Sequence, residues 1–282
     1  MKIGHFLDET REYIIENMHP VRPLKNFLWN STTFAELAQF CFGNSKSCIN
    51  KDFKPLVCGV RLAYIKDENG EIFDINRNLK DLPYDKFLCR VGLGYQTVES
   101  KYKDLESSFT VIVPEEGLAE LYEIKIKNTS KQTKTFTLYP YIRPFVNING
   151  HLAYGNACYR KDIGGLYYTF RAFRATTEYS DAFFAASETP VAYSTSDTSF
   201  LGAYGSLERP QSVKEDVLPS DNTVFEENYC GAMQFPLTLG AGEEKSLYFV
   251  VGTAKTEEES KAVIKKFACQ EGFAREYANQ KV

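Results

Sequence analysis

The chain of 282 residues is 43% hydrophobic and 14% aromatic, with a net charge of −4 and a pI near 5.6. Its length allows a large buried core in one domain or two. An acidic chain without a basic stripe excludes a nucleic-acid footprint, and no apolar run is long enough for a signal region or a membrane span, so we expect a cytoplasmic protein.

The first third of the chain alternates short apolar runs with turn residues. A polar stretch at 67–71 separates the apolar stretches 61–65 and 72–75. Its Asn69-Gly70 dipeptide favours the positive φ angles of a tight turn. The sequence therefore predicts a β-hairpin here.

Two glycines flank Leu93 within the unusual stretch 89–96. No helix is predicted to follow, which disfavours a nucleotide-binding loop. Within a strand, such glycines favour a bulge or the close approach of another backbone, with polar side chains nearby. We take four residues as a structural motif: Arg90, Gly92, Gly94 and Tyr95.

Three apolar stretches at 109–114, 119–128 and 134–146 are separated by short polar turns and are predicted to be three antiparallel neighbours. In the middle stretch, apolar and charged residues alternate. This period of two predicts a half-buried strand with one face on a core.

Asparagines and glycines punctuate the stretch from Asn147 to Gly165, which predicts a long loop with aromatic residues. Ring faces with amide or guanidinium donors suit a sugar, and a purely structural loop is the alternative. The candidate carbohydrate-binding residues are Tyr154, Asn156 and Arg160.

Further strands are predicted at 165–173, 182–187 and 247–253, so a β-sandwich domain extends over residues 1–254. A helical linker segment over 255–282 follows. Thr256 and Glu259 form a capping box before one amphipathic helix, which either packs on its own domain or docks another. The helical positions are Ala262, Val263, Phe267 and Ala274.

The sequence offers no credible catalytic constellation. Its three histidines have no metal-ligand spacing, its seven cysteines include no CxxC pair, and no pair among its 37 acidic residues can be singled out. We therefore expect reduced core cysteines, no metal, no cofactor and no catalytic residues.

Several stretches resemble, in the same order, the N-terminal sandwich domain of glycoside hydrolase family 94, the inverting cellobiose and chitobiose phosphorylases formerly classed as glycosyltransferase family 36. The family usually has His at the position of Val91 and Thr at that of Gln96, which weakens the transfer of any polar role to this stretch. The stretches are 4–8 with Glu12-Tyr13, 25–30, 89–95, 109–114, 123–130 and the turn before Leu247.

The resemblance implies a mainly β fold, a large antiparallel supersandwich of galactose-mutarotase type with a C-terminal helix. In complete family members a helical linker and an (α/α)6 barrel follow, and the barrel holds the general acid and the phosphate-binding residues. The sandwich helps to build a homodimer, and its loops border the partner's active site, a position that we assign to the loop 147–165. This chain ends within what resembles the linker, so we expect it to be inactive alone.

Three hypotheses follow. The first is a non-catalytic sandwich domain or subunit of an inverting β-glucoside phosphorylase, a glycosyltransferase of oligosaccharide metabolism, partnered by a barrel. The alternative is a stand-alone carbohydrate-binding or sensing module for oligosaccharides. The third, an autonomous enzyme such as an epimerase, is the weakest because it lacks an acid and a base.

Overall fold

The computed structural model describes residues 2–49, 52–144, 147–148, 151–172, 181–220 and 228–280. In this part of the chain, β1 to β19 are Gly4–Leu7, Glu12–Ile15, Lys25–Trp29, Thr33–Ala38, Ser45–Ile49, Asp52–Asp67, Ile72–Asp74, Lys86–Val91, Tyr95–Tyr102, Leu105–Ile112, Ala119–Asn128, Lys134–Pro144, Asn147–Ile148, His151–Arg160, Gly165–Ala172, Asp181–Ala186, Ala192–Ser196, Tyr229–Leu239 and Glu244–Ala254. Helices α1 to α4 are Asp197–Leu201, Gln211–Glu215, Glu257–Phe267 and Gln270–Asn279.

The strands form two antiparallel sheets. The first sheet has the order β1-β2-β8-β9-β10-β11-β19-β16-β15-β14-β13, and the second has the order β17-β18-β12-β6-β5-β4-β3, with β7 paired to β6. The predicted mainly β fold, a large antiparallel sandwich with C-terminal helical structure, is confirmed.

Apolar side chains fill three layers. The largest cluster lies between the two sheets and includes Phe109, Leu138 and Phe249. A second cluster joins the outer face of the first sheet to α3 and α4, and a third joins the outer face of the second sheet to α1 and α2. Helices therefore cover part of the outer face of each sheet, and the C-terminal helices α3 and α4 lie on the first sheet.

The predicted hairpin at 67–71 is confirmed, with a different turn. β6 and β7 pair, and the Gly70 N–H donates to the Asp67 carbonyl at 2.9 Å. Of the two turn residues, only Gly70 has a positive φ, of 80°. The side chain of Asp67 also stabilises the turn, because its Oδ1 accepts hydrogen bonds from the backbone N–H groups of Asn69 and Glu71.

The prediction of three antiparallel neighbours is wrong for the third strand. β10 pairs with β11, but β11 continues to β19, while β12 lies in the second sheet between β6 and β18. Asn128 holds this crossover, since its buried side-chain amide donates to the carbonyls of Leu239 and Gly240 at 3.0 Å each. The predicted alternation in β11 is confirmed for its second half, with Ile124 and Ile126 buried and Lys127 exposed, whereas residues 119–122 are all buried.

The single helix predicted at the C-terminus is divided in two. Thr256 caps α3, accepting from the Glu259 N–H as the capping box predicts. The chain leaves helical geometry at Ala268, and Cys269 caps α4 by accepting from Gly272 N–H through its sulfur. Of the predicted helical positions, Phe267 is buried and Val263 is half-buried, whereas Ala262 and Ala274 are exposed. The domain division at residue 254 stays a prediction.

A buried ion pair connects the sheets. Arg61 of β6 and Glu120 of β11 are both fully buried, and the guanidinium Nε and Nη2 each donate to a carboxylate oxygen at 2.7 Å. Tyr122 donates a further bond to Glu120 at 2.7 Å. Although burial raises the pKa of the Glu120 carboxyl, the charge and hydrogen bonds of Arg61 outweigh it and hold that pKa below its ordinary value.

The cysteines with described side chains form no disulfide with one another. Cys41, Cys89 and Cys230 are buried, as predicted for core residues, whereas Cys158 and Cys269 are half-buried. Those of Cys48 and Cys58 lie outside the described side chains. No helix within the described ranges has the length and apolar character needed to cross a membrane.

Candidate functional site

The glycine motif forms a hairpin turn between β8 and β9, so the prediction of a bulge within one strand is wrong. The Gly92 N–H donates to the Tyr95 carbonyl at 3.1 Å, and Leu93 is exposed at the tip. Gly94 has a φ of 86°, a conformation that favours glycine. The predicted close approach is made by side chains: a Cβ at Gly92 would lie 2.2 Å from the Tyr95 ring, and one at Gly94 would lie 1.8 Å from Gln280 Oε1.

The two polar side chains of the motif converge on Glu12, a residue of β2 that is only 5% exposed. Tyr95 donates to Glu12 Oε1 at 2.6 Å, and Arg90 Nη1 donates to Oε2 at 3.3 Å. Arg90 also donates through Nε to Glu99. Burial raises the pKa of Glu12, but the bonds from Tyr95 and Thr10 and the charge of Arg90 leave it below its ordinary value.

The motif also contacts α4. The Tyr95 ring lies edge-on to Tyr277 with centroids 4.9 Å apart, and Tyr277 stacks on Phe273 at 5.9 Å. Phe273 in turn lies 5.6 Å from the ring of Tyr248 on β19. A continuous row of aromatic rings thus fastens α4 to the outer face of the first sheet.

Polar contacts hold the end of α4 on the loop after β10. The side chain of Glu276 is 4% exposed and accepts from the Glu115 N–H at 3.0 Å. Gln280 Nε2 donates to the Val113 carbonyl at 3.2 Å. The glycine that faces Gln280, Gly94, therefore makes room for the last described turn of the chain.

The prediction of a long loop from Asn147 to Gly165 is wrong, because most of this stretch is strand β14. β14 pairs with β15, and a four-residue turn at 161–164 connects the two strands. Asn156 is exposed on the face of the sheet that carries the C-terminal helices. Tyr154 stands opposite Arg171 in the register, and its side chain lies outside the described part of the structure.

Arg160 fastens the turn after β14 to the start of α3. Its guanidinium donates to both oxygens of Asp162 at 2.9 and 2.7 Å and to both oxygens of Glu257 at 2.7 and 3.0 Å. Lys261 reaches the same two carboxylates at 3.0 and 2.7 Å. Hydrogen bonds from Arg160 and Lys261 lower the pKa of Glu257 to about 2, so this cluster stays charged at neutral pH.

The structure brings the four motif residues together and places Arg160 at the other end of the same helical segment, whereas Asn156 lies apart. Sequence reasoning missed Glu12 and Glu276 as functional partners. Nothing in the residues around them in the sequence indicates that these two carboxylates are buried. The arrangement fixes a helical segment on a sheet. Among the described residues, no group of three or more His, Cys, Asp or Glu side chains is placed to hold a metal ion.

The family described as Glycosyl hydrolase 94, supersandwich domain, matches residues 58–270. Two similar proteins are a solabiose phosphorylase from Paenibacillus borealis, 24% identical over 96% of this chain and 38% of its own length, and an N,N'-diacetylchitobiose phosphorylase from Vibrio proteolyticus, 26% identical over 90% and 34%. The chain therefore spans little more than a third of the length of these relatives.

Among solved structures, a bacterial glucoamylase complexed with acarbose superimposes with a TM-score of 0.52 over 96% of this chain and 40% of that chain. The sequence identity is 9%, so the likeness concerns the fold alone.

Proposed function

Because this chain belongs to the glycosyl hydrolase 94 family and carries its supersandwich domain, we propose that it is the non-catalytic sandwich domain or subunit of an inverting β-glucoside phosphorylase. It works with a catalytic barrel on the same polypeptide or on a separate one. The relatives' extra length supports a further domain of this kind. A homodimer and a cytoplasmic location stay predictions from the sequence.

One observation carries the proposal: the motif residues serve to dock a helical segment. Glu12 and Glu276 are buried carboxylates engaged by Tyr95 and by the Glu115 backbone, respectively. A general acid needs a carboxyl within reach of a substrate, and both of these lie beneath packed side chains. The geometry instead gives α4 a fixed position and direction, which suits a domain that orients a catalytic partner.

The chain alone is expected to show no phosphorolysis. Incubated with phosphate and cellobiose, solabiose or N,N'-diacetylchitobiose, it should release no sugar 1-phosphate above a protein-free blank, with the Vibrio relative as the positive control. Co-production with a catalytic barrel from the same organism should give a complex on size exclusion and restore turnover. Phosphorolysis by the chain alone would contradict the non-catalytic role.

A second candidate, a stand-alone carbohydrate-binding module, is favoured by the exposure of Asn156 in the middle of an otherwise regular strand. Arg160 is a weaker contributor there, because its guanidinium already binds two carboxylates. This candidate predicts that calorimetric titration with cello-oligosaccharides gives heat that Asn156→Ala or Tyr154→Ala removes. Equal heats for both variants and the unaltered chain would exclude β14 as the binding face.

A further inference from the structure

Strand β3 carries an exposed aromatic surface at the edge of the second sheet. Its side chains alternate, so that Leu28 is buried while Phe27 and Trp29 are 43% and 70% exposed. Phe34 of β4 stands directly opposite Trp29 in the register. We call these three residues, Phe27, Trp29 and Phe34, the β3 platform.

Two of the platform rings stack on each other. Those of Phe27 and Phe34 are stacked at a centroid distance of 5.6 Å and an angle of 26°. Next to them, the Lys25 ammonium lies 2.6 Å from Glu36 Oε1, and both side chains are partly exposed. The surface thus combines exposed aromatic side chains with charged hydrogen-bonding groups along one side.

The exposed area of the platform indicates which kind of ligand it can bind. Exposed fractions of 43% and 70% of two large aromatic side chains leave on the order of 250 Å² of ring surface uncovered. A stable protein interface buries about 800 Å² on each partner, so the platform is too small for one by itself. One or two sugar rings match its area.

We infer that the β3 platform binds a neutral oligosaccharide. A pyranose ring presents its C–H face to an aromatic ring and its hydroxyl groups to the sides, where Lys25 and Glu36 can donate and accept. As an edge strand, β3 also offers backbone groups on the side away from β4. The inference is independent of the proposed non-catalytic role, because a sugar can bind to this surface whether or not a barrel is present.

Trp29 is the single tryptophan of the chain, so its fluorescence reports on binding at the platform. Titration of the 282-residue chain with cellobiose, cellotriose and cellotetraose should change the Trp29 fluorescence in a saturable way at millimolar sugar, whereas glycerol at equal concentration should not. Calorimetry should find no heat for Trp29→Ala, about tenfold weaker binding for Phe27→Ala, and retained binding for Trp29→Phe.

Two controls separate this site from others. Tyr204→Ala removes a fully exposed ring elsewhere, and Asn156→Ala alters β14; both should leave the titration unchanged. Absence of a saturable change with all three sugars would overturn the inference. So would a fluorescence change that follows protein concentration instead of sugar, because it would identify the platform as a contact between two copies of the chain.

Discussion

Replacing Glu120 with Gln is expected to lower the free energy of unfolding by about 3–5 kcal/mol, because it leaves the fully buried Arg61 guanidinium without its counter-charge. Single domains are stable by only about 5–15 kcal/mol, so the loss should be plain in urea denaturation followed by circular dichroism. The double variant Arg61→Met/Glu120→Leu should lose less, since it leaves no unpaired charge in the core.

An exposed ion pair gives the matched control. Glu188 pairs with Lys245 at the surface, and both side chains are about two-fifths exposed. Glu188→Gln should change the free energy of unfolding by less than about 1 kcal/mol. If Glu120→Gln caused no larger loss than this control, the ion pair would not be what joins the sheets.

The ion pair between Arg61 and Glu120 also predicts that the stability of the protein depends on pH. Because the folded-state pKa of Glu120 lies below its ordinary value of 4.5, the unfolded chain binds more protons between the two values, and stability rises with pH there. The contribution is therefore fully present above about pH 4.5 and is lost as the pH falls through the folded-state pKa. Glu120→Gln should flatten this part of the acid denaturation curve.

Replacing Tyr95 with Ala is expected to cost about 3–5 kcal/mol and to release α4. Tyr95 is 3% exposed, and its loss removes both the ring that contacts Tyr277 and the hydrogen bond to Glu12 Oε1. Amide hydrogen exchange should therefore accelerate in α4 more than in β11 or β19. Tyr95→Phe, which keeps the ring, should cost about 1–3 kcal/mol, because it removes the bond to Glu12 Oε1 while Oε2 keeps its bonds from Thr10 and Arg90.

Leu93→Ala is the control for Tyr95→Ala, because Leu93 lies at the tip of the same turn and is 66% exposed. It should leave both stability and the exchange of α4 unchanged. Unaltered exchange of α4 in Tyr95→Ala would contradict the role of the motif as the anchor of this helix.

Local patterns in the sequence were sufficient for several elements. Alternation in β11, the glycine at position 70 and the capping box at Thr256 each reflect the requirements of a few neighbouring residues. The stretch that became β14 was misread as a loop because Gly155 and Asn156 are poor strand formers. Pairing with β15 outweighs that preference, as strand propensity depends strongly on context.

The sequence by itself determined the mainly β class, the positions of strands such as β11, β15 and β19, the family resemblance and the importance of the stretch around Arg90 and Tyr95. Only the tertiary structure decided that β12 leaves its neighbours for the other sheet, that Glu120 meets Arg61, and that the motif anchors α4. A period of two states that a strand buries one face, but it carries no information about which strand covers that face. That choice depends on contacts between residues far apart in the chain, such as Glu12 with Tyr95 and Gly94 with Gln280.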